Sequence, residues 1–96
     1  MNLKNILMMM PDNVLNVIEG IEYLDGPDDF QISITTQDND GYTQVSKIQL
    51  WSDGETNLIV GSTWDTDYNE SSLGIVFDET IEIYSTIKSI WQKNIV

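Results

Sequence analysis

The sequence predicts a small α+β domain in which helices cover one face of a three- to four-stranded antiparallel sheet. Residues 30–64 contain three strand-like runs separated by two turns rich in Asp and Gly. Apolar side chains recur at helical spacing before and after this stretch. The chain has 96 residues, room for one hydrophobic core, so we expect residues 1–96 to form a single domain.

An N-terminal helix is predicted over residues 12–23. Apolar side chains recur there at helical spacing, at Val14, Leu15, Ile18 and Ile21. Gly20 disfavours a helix, and the alternation over residues 21–24 permits a strand instead, with a hairpin turn through residues 25–29. We prefer the helix, and the choice between helix and strand stays open for residues 17–24.

The predicted meander has strands at residues 30–36, 42–51 and 56–64, which are rich in β-branched and aromatic residues. The turns at residues 38–41 and 52–54 contain Asp, Asn and Gly, which tolerate the backbone conformations of tight turns. One face of the sheet is predicted to be apolar, from Phe30, Ile32, Ile34, Ile48, Leu50, Leu58 and Val60. The other face is predicted to be exposed to solvent.

A C-terminal helix is predicted over residues 79–93. Its apolar stripe contains Ile83, Tyr84, Ile87, Ile90 and Trp91. Glu79 and Glu82 lie near the positive end of the helix dipole, and Lys88 and Lys93 near its negative end. Residues 73–77 are a short apolar run, either a fourth strand or a lead-in to this helix.

The net charge is the most unusual feature of the chain. Sixteen acids and four lysines give −12, whereas a small soluble domain needs a net charge of about 2–8 in magnitude. Residues 5–46 and 48–87 each contain eight acids and no basic residue. We therefore expect no direct binding of nucleic acid or of anionic membranes, because both need cationic contacts. The expected partner is a basic protein.

Several reactive residue types are missing. The chain has no His, Cys or Arg, so nucleophilic triads and phosphoryl-transfer clamps have no members to draw on. We predict that the protein is not an enzyme, with no catalytic residues and no cofactor. The lack of Cys leaves the compartment open with a preference for the cytoplasm, and no run approaches the ~20 apolar residues that span a bilayer.

A weak calcium-binding module is one alternative. Asp65, Asp67 and Asn69 match the first ligand positions of an EF-hand loop. Glu70 then replaces the turn glycine, and Val76 replaces the bidentate Glu. A solvated acidic loop is the simpler interpretation, and no metal site is predicted.

The predicted function is a small acidic inhibitor that binds a basic, nucleic-acid-binding surface of another protein, such as a nuclease. Nucleic-acid mimics that inhibit CRISPR nucleases or restriction enzymes, and immunity proteins of nuclease toxins, use this physics; the analogy is one of size and charge. A second alternative is an accessory subunit that docks through an apolar patch, such as Trp51 or residues 73–77. The predicted partner-binding residues are turn and loop acids with two aromatic anchors: Asp38, Asp40, Trp51, Asp53, Glu55, Asp65, Asp67, Tyr68 and Glu70.

Overall fold

The fold is a five-stranded antiparallel sheet with helices packed on one face, as seen in a computed structural model that describes residues 3–61, 65–68 and 76–95. Two short helices come first, and one long helix comes last. The elements in chain order are α1 (Leu3–Met8), α2 (Asp12–Leu15), β1 (Ile18–Tyr23), β2 (Phe30–Gln37), β3 (Thr43–Leu50), β4 (Thr56–Gly61), β5 (Asp65–Tyr68) and α3 (Asp78–Lys93). The predicted α+β class is confirmed.

The strands follow one another across the sheet in chain order, so every connection is a hairpin. β2 and β3 pair without interruption from Phe30 opposite Leu50 to Gln37 opposite Thr43. The turns after β2 and β3 use Gly41 (φ 86°) and Gly54 (φ 96°), in the left-handed region that side chains with a Cβ rarely adopt. The predicted meander and its two turns are therefore confirmed over the described residues, and residues 62–64, the end of the third predicted strand, lie outside them.

The predicted helix over residues 12–23 is wrong in its second half, since α2 ends at Leu15 and residues 18–23 form β1. β1 pairs with β2, with a bulge between Ile18 and Gly20. Leu24 N–H donates to Asp29 O at 2.8 Å and closes the hairpin that the alternation permits. A helix here would leave the ladder groups of β2 unpaired, so pairing across the sheet prevails over the local helical spacing.

Residues 65–68, predicted to belong to a polar loop, form β5 on the other side of β4. The backbone of Asp67 lies opposite Ile59, and that of Tyr68 opposite Leu58. The sheet thus has five strands, one more than the largest number predicted, because both β1 and β5 join it. The fourth strand considered for residues 73–77 lies in part outside the described residues, and residues 76–77 belong to neither a helix nor a strand.

The core lies between the sheet and the helices. All seven predicted apolar residues of β2, β3 and β4 are at most 1% exposed. α3 buries Ile83, Tyr84, Ile87 and Trp91 against them, which confirms the predicted stripe, and Ile90 packs at the margin. The N-terminal segment adds Ile6, Met10 and Val14. Trp91 meets Phe30 edge to face, with ring centroids 5.8 Å apart.

Near the turn between β2 and β3 the buried layer is polar. The Thr80 hydroxyl of α3 donates to Gln44 Oε1 at 2.8 Å, and it lies 2.5 Å from the Thr36 hydroxyl. Phe77 N–H also donates to Gln44 Oε1, at 3.0 Å. These bonds attach the start of α3 to β2 and β3.

In the part of the chain that the structure describes, no helix is long and apolar enough to cross a bilayer.

Candidate partner-binding surface

Two hairpin turns meet at one end of the sheet and carry a group of acids. Asp29 Oδ1, in the turn between β1 and β2, accepts a hydrogen bond from Ser52 N–H, in the turn between β3 and β4, at 2.8 Å. Asp53 Oδ1 accepts from Glu55 N–H at 2.9 Å within the second turn. We call this surface the acidic end; its residues are Asp25, Asp28, Asp29, Asp53 and Glu55.

Trp51 lies at the base of the acidic end and is half-buried rather than fully exposed. Its carbonyl oxygen accepts from Trp91 Nε1–H at 2.8 Å, and its N–H donates to Glu55 O at 2.9 Å. With the Asn57 amide oriented to satisfy its neighbours, Asn57 Oδ1 accepts from Trp51 Nε1–H at 3.1 Å. The backbone of Trp51 therefore ties the acidic end to the core, and only part of its ring remains available to a partner.

The opposite end of the sheet carries a second group of acids, at the turn between β2 and β3 and at the start of α3. Asp38 Oδ1 accepts from the N–H groups of Asp40 and Tyr42, both at 2.9 Å. Glu79 Oε1 accepts from Gln37 N–H at 3.2 Å. A depression of about 170 Å³ lies between the turn and the helix. We call this surface the helix-start end; its acids are Asp38, Asp40, Asp78 and Glu79.

The direction of α3 makes these two ends electrostatically different. The helix starts where Glu79 contacts Gln37 and ends where Gln92 Nε2–H donates to Gly54 O at 3.2 Å. Its positive dipole end therefore lies among the acids of the helix-start end, and its negative end points toward the acidic end. Lys93 in the last turn of α3 offsets part of that negative potential. The carboxylates of the acidic end therefore lie near the negative pole of α3, whereas those of the helix-start end lie near its positive pole.

On β2, β3 and β4 the uncovered face of the sheet is largely neutral. Along β2, β3 and β4 its side chains are Gln31, Ser33, Thr35, Val45, Lys47, Gln49, Asn57 and Ile59, none of them acidic. Gln49 Nε2–H donates to Gln31 Oε1 at 3.2 Å, so part of this surface is internally hydrogen-bonded. Among these strands the acids thus lie at the ends rather than across the face.

The structure divides the predicted partner-binding residues. Trp51, Asp53 and Glu55 lie at the acidic end, whereas Asp38 and Asp40 lie at the opposite one. The backbones of Asp65, Asp67 and Tyr68 belong to β5, and Glu70 lies outside the described residues. Residues 65–68 form a strand rather than the start of a loop, and the remaining candidate EF-hand positions through residue 75 lie outside the described residues, so the calcium alternative stays a prediction. Over residues 3–61, 65–68 and 76–95, no group of three or more acids is placed to hold a metal ion.

Three acids of the acidic end were missing from the predicted site: Asp25, Asp28 and Asp29. The signal for them was the alternation before residue 25, which permits a hairpin through residues 25–29. Once residues 18–23 form a strand, this turn must lie at the same end of an antiparallel meander as the turn that contains Asp53.

The surface described above is inferred from this chain's own residues. Its geometry comes from the hairpin order, and its charge from the placement of the acids. Comparison with protein-family models, with curated proteins and with solved structures found no match to the chain.

Proposed function

We propose that the protein is a small, non-catalytic inhibitor whose acidic end occupies a basic, nucleic-acid-binding surface of another protein. The observation that carries the proposal is the grouping of five carboxylates on two adjacent hairpin turns of a chain with net charge −12. In a twisted sheet these turns are separated by two strand spacings, about 10 Å. A cationic groove that binds a phosphate backbone contacts negative charges spread over distances of this order.

The scaffold supports the proposal because backbone N–H groups hold the carboxylates of Asp29 and Asp53 in place. Asp29 joins the two turns through Ser52 N–H, and Asp53 closes its own turn through Glu55 N–H. Beneath them, the Trp91 indole is fully buried and donates to Trp51 O. Charges held on a rigid framework lose little conformational entropy on binding, and they steer the encounter with an oppositely charged surface.

The residue types present favour binding over chemistry. Without His, Cys or Arg, a catalytic role would have to depend on carboxylates, lysines and hydroxyl groups alone. The lack of Cys also agrees with a reducing compartment, so we take the site of action to be the cytoplasm. The proposed partner is a nuclease or another protein with a nucleic-acid groove lined by Lys and Arg, in the manner of anti-CRISPR, anti-restriction and immunity proteins.

A binding panel tests this proposal. The probes are a CRISPR nuclease, a restriction enzyme and a toxin nuclease domain, each with a basic groove, and an acidic protein of similar size serves as the control. We expect one basic probe to bind, to lose affinity about tenfold or more over a severalfold rise in salt, and to be displaced by duplex DNA. Binding that ignores both salt and DNA, or a panel without any binder, would contradict the proposal.

An accessory subunit remains the second candidate, and one observation favours it. Met8, Met9 and Leu15 of the N-terminal segment are 76%, 52% and 41% exposed. Exposed methionines adapt to varied partner surfaces. This candidate predicts an association that persists in high salt and is lost when Met8 and Met9 are replaced by Gln. An association that high salt disperses would favour the acidic inhibitor instead.

A further inference from the structure

The first strand of the sheet, β1, has no neighbour on its outer side among the described residues. It pairs with β2 on the inner side alone. A Cβ built on Gly20 would meet no atom within 4 Å, so the uncovered face of the sheet is open at this part of the strand. An edge strand of this kind is a template for one more strand.

The register identifies which backbone groups of β1 face the open side. Leu24 N–H donates to Asp29 O, so the backbone of Leu24 faces β2, and the register continues through Tyr23 opposite Phe30 and Glu22 opposite Gln31. In an antiparallel ladder, hydrogen-bonded and non-hydrogen-bonded pairs alternate. Leu24, Glu22 and Gly20 therefore bond to β2. The N–H and C=O groups of Ile21 and Tyr23 point to the open side.

The side chains along this edge form a margin of the core that is only partly covered. Ile18 and Ile21 pack against the core but are only partly buried. The Tyr23 ring lies 5.2 Å from the Phe30 ring, yet Tyr23 is 66% exposed. A shallow depression of about 460 Å³ continues the edge beyond Tyr23, lined by residues 23–27. An added strand with apolar side chains on the helix side of the sheet would cover this margin.

The charges along the edge select the other side chains of such a strand. Glu22 is exposed on the uncovered face, Glu19 lies in the bulge, and the acidic end follows directly. A second copy of this chain is a poor occupant. Symmetric pairing through Ile21 and Tyr23 would place Glu22 of one copy opposite Glu22 of the other, and like charges directly opposite are destabilising. A strand with Lys or Arg at alternate positions has the complementary charge.

We infer that β1 is a docking edge for an extended segment that alternates apolar and basic residues. The segment would pair with the backbone of Ile21 and Tyr23, cover the partly buried Ile18 and Ile21, and place its cations near Glu19 and Glu22. This inference deepens the proposed function, on which it rests, by adding a backbone-mediated contact next to the acidic end. It assigns to the basic partner an exposed strand or a tail that can become one.

A synthetic peptide that alternates lysine and valine tests the inference on the full chain. Control peptides are a scrambled version of the same composition and one that alternates glutamate and valine. Amide hydrogen exchange followed by NMR should show the N–H groups of Ile21 and Tyr23 slowed about tenfold or more by the alternating basic peptide alone. Slowing confined to the turns of the acidic end, or equal effects of the scrambled peptide, would overturn the inference.

A pair of variants at one position separates backbone from side chain. Tyr23→Pro removes an N–H that points away from β2, a position where an edge strand tolerates proline. Tyr23→Ala removes the ring and keeps the N–H. We expect the peptide to bind Tyr23→Pro about tenfold more weakly than Tyr23→Ala. Equal affinities would overturn the inference; should the proline variant unfold, the exchange experiment on the wild-type chain decides.

Charge variants complete the test, and they separate this inference from the proposed function. Glu22→Gln should weaken peptide binding about threefold at low salt, and Glu82→Gln, on the exposed side of α3, should leave it unchanged. If a basic protein binds in a salt-dependent way while Tyr23→Pro and Tyr23→Ala bind it equally, the edge inference fails and the proposed function stands. If no basic protein binds but the alternating peptide pairs with β1, the proposed function fails instead.

Discussion

The two ends of the sheet carry similar numbers of carboxylates over very different supports. At the acidic end the layer beneath is apolar, with Trp91 packed edge to face on Phe30. At the helix-start end it is a buried hydrogen-bonded group of Thr36, Gln44 and Thr80. The acids of the helix-start end also lie beside the positive pole of α3, which neutralises part of their field. The number of acids alone therefore does not distinguish the two ends; the helix direction and the layer beneath the acids do.

Of the variants that compare the two ends, the removal of Trp91 should lower the free energy of unfolding most. Trp91 is fully buried, and its N–H bonds to Trp51 O. We expect Trp91→Ala to lower the free energy of unfolding by about 3–5 kcal/mol, measured by urea denaturation. Trp91→Phe, which keeps a ring and loses the hydrogen bond, should cost less. A loss below about 1 kcal/mol for the alanine variant would mean that the acidic end does not depend on this side chain.

The polar layer of the helix-start end should be the next most sensitive. Thr80→Val keeps the shape but removes the hydroxyl that bonds to Gln44 and lies against Thr36. We expect a loss of about 1–3 kcal/mol in urea denaturation, because Gln44 Oε1 loses one donor and the Thr36 hydroxyl loses its closest polar neighbour. Thr86→Val, at a more exposed hydroxyl that bonds to Glu82 O, is the matched control and should change little. The double variant Thr36→Val with Thr80→Val should lose less free energy of unfolding than the sum of the two single losses. Strict additivity would contradict a hydrogen-bonded network that contains both hydroxyls.

The turn at the helix-start end should give a smaller effect. Asp38→Ala removes an acceptor for two backbone N–H groups, so we expect a loss of about 1–2 kcal/mol in thermal or urea unfolding. Asp38→Asn keeps an acceptor oxygen and should be nearly neutral. Asp40→Ala, at an exposed neighbour, controls for the loss of charge. Equal losses at Asp38 and Asp40 would show that charge, rather than turn geometry, explains the effect.

The meander from β2 to β4 was predictable because alternation, β-branched residues and turn glycines all point to the same structure there. β1 was not, because Val14, Ile18 and Ile21 satisfy helical spacing as well as they permit a strand. The choice between helix and strand is decided by β2, because the edge of β2 that does not face β3 is available for pairing, and residues 18–23 pair with it. Local pattern alone cannot supply it.

The candidate surface was predictable only in part. Asp53 and Glu55 could be named from turn chemistry alone. Their joining to Asp29 depends on strand order, which the mistaken helix over residues 18–23 concealed. The sequence analysis also grouped Asp38 with Asp53, although the predicted meander itself separates them, because an antiparallel meander puts successive turns at opposite ends.

Two charge-matched variants test the central claim that the acidic end is the binding surface. One carries Asp25→Asn, Asp53→Asn and Glu55→Gln at the acidic end; the other carries Asp40→Asn, Asp78→Asn and Glu79→Gln at the helix-start end. Both remove three charges from a net −12, and every substitution keeps an acceptor oxygen.

The measurement is the affinity for a basic nuclease of the panel as a function of salt. We predict that the acidic-end variant binds about tenfold or more weakly at low salt and with a flatter salt dependence, while the helix-start variant stays within about threefold of the wild type. Equal weakening of both variants would mean that affinity follows net charge alone, which would contradict the assignment of the surface.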